Sequence, residues 1–203
     1  MLTIYHVPGT RSARIIWLCE ELDHPYQVET IDFSPDYRAS PEWRALNPVG
    51  KVPAMRDDGF SMFESGAMLQ YILERYGDGR LRPRPGTAAS AKYLQWCWFA
   101  EATLARPLGD MAHHLFLKPE PERIPAVVED ARRRAVLCIE ALEDALAKRP
   151  YLLGDAFSAA DIMMGYSLVL GRRVGALQPE HETAVSYLEH LAERPAFRKA
   201  FPN

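Results

Sequence analysis

The chain has 203 residues, 48% of them apolar and 25% charged, with 24 Lys and Arg against 27 Asp and Glu for a formal net charge of −3. That length allows one large or two small domains with a real core, and a near-balanced charge without long blocks of either sign excludes the electrostatic footprint of a nucleic-acid binder. No run approaches the roughly 18 apolar residues of a membrane span, and MLTIYHVPGTR lacks the charged start and apolar stretch of a secretory signal.

Leu2-Thr3-Ile4-Tyr5 places apolar side chains at every second residue, which predicts a first strand. Pro8-Gly9 turns the chain, and from Ser12 onward Ile15, Ile16, Leu18, Cys19 and Leu22 recur at helical spacing up to Asp23-His24-Pro25. Tyr26 to Ile31 reads as a second strand, so the order strand, helix, strand predicts a parallel pair with a crossover helix. Residues 34–48 read as a loop with a short helix. Ala54-Met55-Arg56 and Phe60-Ser61-Met62-Phe63 flank Asp57-Asp58-Gly59, the pattern of a hairpin whose turn needs positive φ. From Glu64-Ser65 the positions Ala67, Met68, Tyr71, Ile72 and Leu73 predict a helix that stops at Tyr76-Gly77.

Residues 1–77 therefore form a βαβ-ββα domain, and the Gly- and Pro-punctuated stretch 78–88 reads as a linker. Every long segment of 89–203 then has helical period: 89–117, a stripe from Val127 to Leu146, 159–174 and 181–193. The expected fold class is α/β plus all-α, the second domain being all-helical. Cys19, Cys97 and Cys138 are odd in number and form no C-x-x-C pair, which predicts core thiols in a reducing compartment.

Two constellations carry chemistry. In Asn47-Pro48-Val49-Gly50-Lys51-Val52-Pro53 a tight turn delivers Val52-Pro53 to the start of a strand. If that bond is cis, the Val52 N–H and C=O turn away from the sheet and can pair a peptide-like ligand as an added strand; if trans, it is an ordinary strand start at an edge. Glu64-Ser65 opens a helix, whose unpaired N–H groups and positive dipole end attract a carboxylate, with Ser65 adding a hydroxyl and Glu64 an anion for an ammonium. Together they can hold a zwitterionic amino-acid end, with Lys51 available for a second carboxylate.

With VPGTRSAR, NPVGKVPAM and ESGAMLQYILERYG in this order, the sequence resembles the glutathione transferases, and the resemblance continues through FSAADIMMGY, where Ser158 and Asp161 form a capping box. It implies a thioredoxin-like N-terminal domain that binds glutathione as cosubstrate, with Lys51, Val52, Pro53, Glu64 and Ser65 as its contacts. It also implies a cytoplasmic homodimer, formed through the helix after Glu64 and the first helices of the second domain with Trp96, Trp98 and Phe99.

The implied reaction is stabilisation of the glutathione thiolate and its conjugation to a small hydrophobic electrophile, as in detoxification. Alternatives are a glutathione-dependent peroxidase, disulfide reductase or isomerase, or a non-catalytic binding module. Alignment on Arg14-Ile15-Ile16-Trp17 with the bacterial and fungal subgroup puts its Ser-Arg on Thr10-Arg11, so Thr10, Ser12 and Arg11 are the candidate catalytic residues, Thr10 ranking above Ser12. Tyr5 reads as a pocket-wall or packing residue. Met111, His113, His114 and Phe116 are candidates to line the acceptor site, and His113-His114 lacks a third ligand at metal spacing, so no metal is expected.

Overall fold

A computed structural model describes residues 1–202, which cluster into two units, Met1–Leu81 joined by the stretch from Glu193 on, and Arg82–Ala192. In the first unit, β1 (Leu2–His6), β2 (Tyr26–Thr30), β3 (Ala54–Asp57) and β4 (Phe60–Phe63) form one sheet in the order β2-β1-β3-β4. β1 runs parallel to β2, in register Leu2 with Tyr26, and antiparallel to β3, with Tyr5 opposite Ala54. The crossover is α1 (Ala13–Glu21), whose residues 13–19 are all buried. The hairpin turn between β3 and β4 holds Asp58 at φ 46° and Gly59 at φ 88°, the two positive angles that a two-residue turn matched to strand twist requires.

Residues 34–48 contain two short helices where one was expected, α2 (Pro35–Ala39) and α3 (Pro41–Leu46). Each begins Ser-Pro: Ser34 Oγ accepts the Tyr37 N–H and Ser40 Oγ accepts the Trp43 N–H, both at 3.2 Å, while the proline sits where a missing N–H costs nothing. α4 (Ser65–Tyr76) ends at Gly77, as the periodicity predicts.

The second unit is helical: α5 (Ala88–Trp98), α6 (Ala105–Ala112), α7 (Pro125–Leu146), α8 (Ala159–Arg173) and α9 (Glu182–Ala192). Thr87 caps α5, accepting the Ser90 N–H at 3.1 Å. The long run 88–117 is interrupted by two wider π-helical turns, Phe99–Leu104 and His113–Leu117, which side-chain periodicity does not distinguish from an unbroken helix. α8 is the core helix, buried from Ala159 to Leu168. At its start Asp161 accepts four hydrogen bonds, from the Leu152 N–H (2.9 Å), the Ser158 N–H (2.8 Å), Ser158 Oγ (2.9 Å) and the Tyr187 hydroxyl (2.7 Å).

A last helix, α10 (Pro195–Ala200), returns to the first unit and covers α1. Phe197 and Phe201 meet the fully buried Trp17 ring edge-on at 5.0 and 6.1 Å. Arg194 grips Glu21 with two 2.6 Å bonds and Lys199 reaches Glu20 at 2.7 Å.

Candidate active site

The loop after β1 turns at Gly9, whose φ of 73° suits glycine, and brings the candidate hydroxyls back over the strand end. Thr10 Oγ1 donates to the Val7 carbonyl at 2.7 Å and lies 2.8 Å from Ser12 Oγ, which in turn lies 2.7 Å from His6 Nδ1. Ser12 is 0% exposed and its side chain caps no N–H of α1. Ser12 thus faces the protein interior, whereas Thr10 is half-buried and borders solvent. Arg11, also half-buried, lies between them. Burial and the neighbouring Glu20 carboxylate push the Cys19 thiol up to about 12, so this thiol is protonated and inert at neutral pH.

The second constellation is organised by Asn47, a buried side chain that sequence reasoning did not single out. Its Nδ2 donates to the Lys51 carbonyl at 2.8 Å and its Oδ1 accepts the Val49 N–H at 3.2 Å, which closes the turn. Gly50 has φ 63°, and a Cβ there would lie 2.6 Å from the Arg38 carbonyl. The Val52-Pro53 bond is cis. The ladder to β1 and β4 begins at Ala54 and takes in neither the N–H nor the C=O of Val52. The Val52 side chain packs against the cluster of Tyr5, Ile31, Trp43 and Ala54, with Pro53 buried and Lys51 exposed. Tyr5 is 6% exposed and meets Trp43 edge-on at 5.8 Å, a packing role.

The third element is the start of α4. Glu64, exposed, holds φ 73° and ψ 103°, a region that costs a non-glycine residue roughly 1–3 kcal/mol. Strained backbone of this kind concentrates at functional sites. Ser65 is the first helical residue, 2% exposed, and its Oγ accepts a 3.1 Å bond from Nη1 of Arg14, a 0% exposed cation on α1. With a guanidinium on its lone pair, the Ser65 hydroxyl keeps its proton for another acceptor. Arg14 went unremarked in the sequence except as an alignment anchor; its signal is a charged residue inside the apolar run of α1.

In the second unit, Met111 and His114 are buried, and His114 Nδ1 accepts the Ile124 N–H ahead of α7 at 3.1 Å, a structural task. His113 and Phe116 are exposed. Among the described residues no helix is long and apolar enough to cross a membrane.

Residues 1–74 match the family model for the glutathione S-transferase N-terminal domain and residues 125–203 the model for the C-terminal domain. The chain belongs to the glutathione S-transferase family. All three candidate segments fall in the N-terminal model of the glutathione S-transferases. Glutathione S-transferase 3 of Schizosaccharomyces pombe is 29% identical, over 98% of this chain and 86% of its own length. The disulfide-bond oxidoreductase YfcG of Escherichia coli is 30% identical, over 80% and 76%. The crystal structure of a theta class glutathione S-transferase from Xanthomonas axonopodis pv. citri, with glutathione bound, superposes with a TM-score of 0.87 at 26% identity, covering 100% of this chain and 97% of that one.

Proposed function

We propose that this chain is a glutathione transferase that binds glutathione across residues 51–53 and 64–65, stabilises its thiolate at Thr10, and conjugates it to a small hydrophobic electrophile. The observation that carries the reading is the start of α4, where the first-turn N–H groups and the Ser65 hydroxyl stand over the buried Arg14 cation. A helix start and a buried positive charge there favour a carboxylate, and the exposed Glu64 carboxylate beside it suits an ammonium. Those are the two charges of a γ-glutamyl end. The Val52 backbone offers the edge for the cysteinyl peptide units, with Lys51 near the glycyl carboxylate. In this reading residues 1–77 are the glutathione domain, 78–88 the linker, and the helices of 89–203 serve the electrophile, except α10, which packs in the first unit.

Calorimetric titration of reduced glutathione tests the reading. A hydrogen bond to a charged group contributes about 1.5–3 kcal/mol, so Ser65→Ala weakens binding roughly 10- to 100-fold. An unchanged dissociation constant, or no binding to wild type, overturns the reading, and the latter outcome favours a non-catalytic module.

A second reading is reduction of disulfides by bound glutathione: residues 8–12 contain no cysteine and Cys19, Cys97 and Cys138 are all buried, so in this reading, as in the first, the reactive thiol is the ligand's. The similarity to a disulfide-bond oxidoreductase fits that reading. Turnover of a mixed disulfide against turnover of an aryl chloride separates the two. In both readings the protein is a cytoplasmic homodimer. Of the three aromatics considered for the interface, Trp96 is buried against Phe99 at 5.3 Å, and Trp98 stands 65% exposed. Trp98→Glu therefore shifts sedimentation from dimer to monomer; an unchanged dimer moves the interface elsewhere.

A further inference from the structure

The three polar side chains at the end of β1 form a line that neither the alignment nor a role for Thr10 alone explains. His6, 9% exposed, closes β1; its Nδ1 lies 2.7 Å from Ser12 Oγ, and Ser12 Oγ lies 2.8 Å from Thr10 Oγ1. The line runs from the interior to the half-buried loop. Burial holds the His6 imidazole below its ordinary range and so keeps it neutral at physiological pH, with one N–H and one bare nitrogen.

Counting protons fixes the direction of the line. Thr10 has a single hydroxyl proton, which it gives to the Val7 carbonyl at 2.7 Å, so towards Ser12 it can only accept. Ser12 then donates its own single proton to Thr10. Its contact with the Val7 carbonyl, at 3.3 Å, is the longer of its options. With that proton committed, Ser12 Oγ is an acceptor for its remaining neighbours, the Val7 N–H at 3.4 Å and His6 Nδ1. His6 must therefore be the Nδ1–H tautomer. The reverse arrangement, with Ser12 donating to a bare Nδ1, would draw the Thr10 proton inward and turn a lone pair towards any anion on the loop.

We infer that His6 and Ser12 are positioning residues that act through Thr10, as a donor relay running from His6 Nδ1–H to Ser12 Oγ–H to Thr10 Oγ1. The relay occupies the inner lone pair of Thr10, so its hydroxyl proton is held for an acceptor away from Ser12: the Val7 carbonyl when the loop is empty and a ligand thiolate when one arrives. Hydrogen bonds aligned in series polarise one another, so the terminal hydroxyl becomes a stronger donor to sulfur than an isolated threonine. This rests on the assignment of thiolate stabilisation to Thr10 above.

The test is a pH titration of the ultraviolet absorbance of bound glutathione thiolate, with the dissociation constant measured alongside. The variants are Thr10→Val, Ser12→Ala, His6→Phe and His6→Asn. Ser12→Ala and His6→Phe each raise the bound-thiol pKa by about 0.5–1 unit, which is roughly 3- to 10-fold less thiolate at a pH below both pKa values, while glutathione affinity stays within about twofold on the same reasoning. His6→Asn, whose amide N–H can take the place of Nδ1–H, restores the wild-type pKa. A thiol that titrates like free glutathione in wild type, or is unmoved by Thr10→Val, removes the underlying assignment and the relay with it. A shift in Thr10→Val with none in Ser12→Ala overturns the relay alone, and so does lost affinity in Ser12→Ala at unchanged pKa, which marks a loop-holding role. If His6→Phe does not fold, Ser12→Ala and His6→Asn decide the matter.

Discussion

Asp161→Ala lowers the unfolding free energy by about 3–5 kcal/mol, since each buried donor left unsatisfied costs roughly 1–3 kcal/mol. Two of the four donors that converge on this 0% exposed carboxylate, Leu152 N–H and Ser158 N–H, are backbone groups that cannot turn elsewhere. The Ser158 and Tyr187 hydroxyls can rotate, which keeps the total below four full penalties. For a chain of this size each kcal/mol moves the melting temperature by about 2–4 °C, so calorimetry should show a fall of roughly 6–20 °C. Asp161→Asn costs about half as much on the same count. Its one oxygen serves the donors on one side, while its NH2 confronts a backbone N–H on the other, Leu152 at Oδ1 or Ser158 at Oδ2. A loss under about 1 kcal/mol in Asp161→Ala would show that this network carries no stability.

Thr10→Val, which keeps the side-chain shape and removes the hydroxyl, raises the pKa of bound glutathione thiol by about one to two units. That follows from about 1.5–3 kcal/mol for a hydrogen bond to a charged group and about 1.36 kcal/mol per pKa unit. The sign is that of an anion losing its donor: the thiolate becomes less favourable and needs a higher pH to form. At neutral pH kcat/KM towards an activated aryl chloride falls roughly 10- to 100-fold on the same energies. The deficit narrows as pH rises past the free thiol value near 8.5, where the thiol ionises without help. Thr10→Ser retains activity. A Thr10→Val profile superposable on wild type would assign the thiolate to another donor.

Much of the first unit, and the core helix of the second, was legible because the signals are local. Asp57-Asp58-Gly59 fixes the hairpin through two positive φ angles, Tyr76-Gly77 ends α4, and Ser158 with Asp161 announces α8. The parallel pairing of β1 and β2 follows from the intervening helix. Part of what escaped the sequence depends on residues far apart in it. Arg14 meets Ser65 across 51 positions, so nothing in the spacing of either motif reveals a cation beneath the helix start. Ser12 looks like a loop hydroxyl and is a buried one, because the turn at Gly9 folds it back over His6. α2 and α3 each carry a Ser-Pro start that could have separated them, and α10 carries Pro195 at its first position with Phe197 and Phe201 behind it.

The place of α10 bears on how the chain is made. Synthesis delivers β1 to α4 first, yet the aromatic cover of Trp17 and the anchor of Glu21 lie beyond residue 192, about 110 residues later. At roughly 5–20 residues per second this is a wait of about 5–20 s, with one face of α1 and its indole ring open to solvent throughout. The first unit to leave the ribosome is therefore the last to be finished, and a chain interrupted before Arg194 presents an apolar α1 surface that marks it as incomplete.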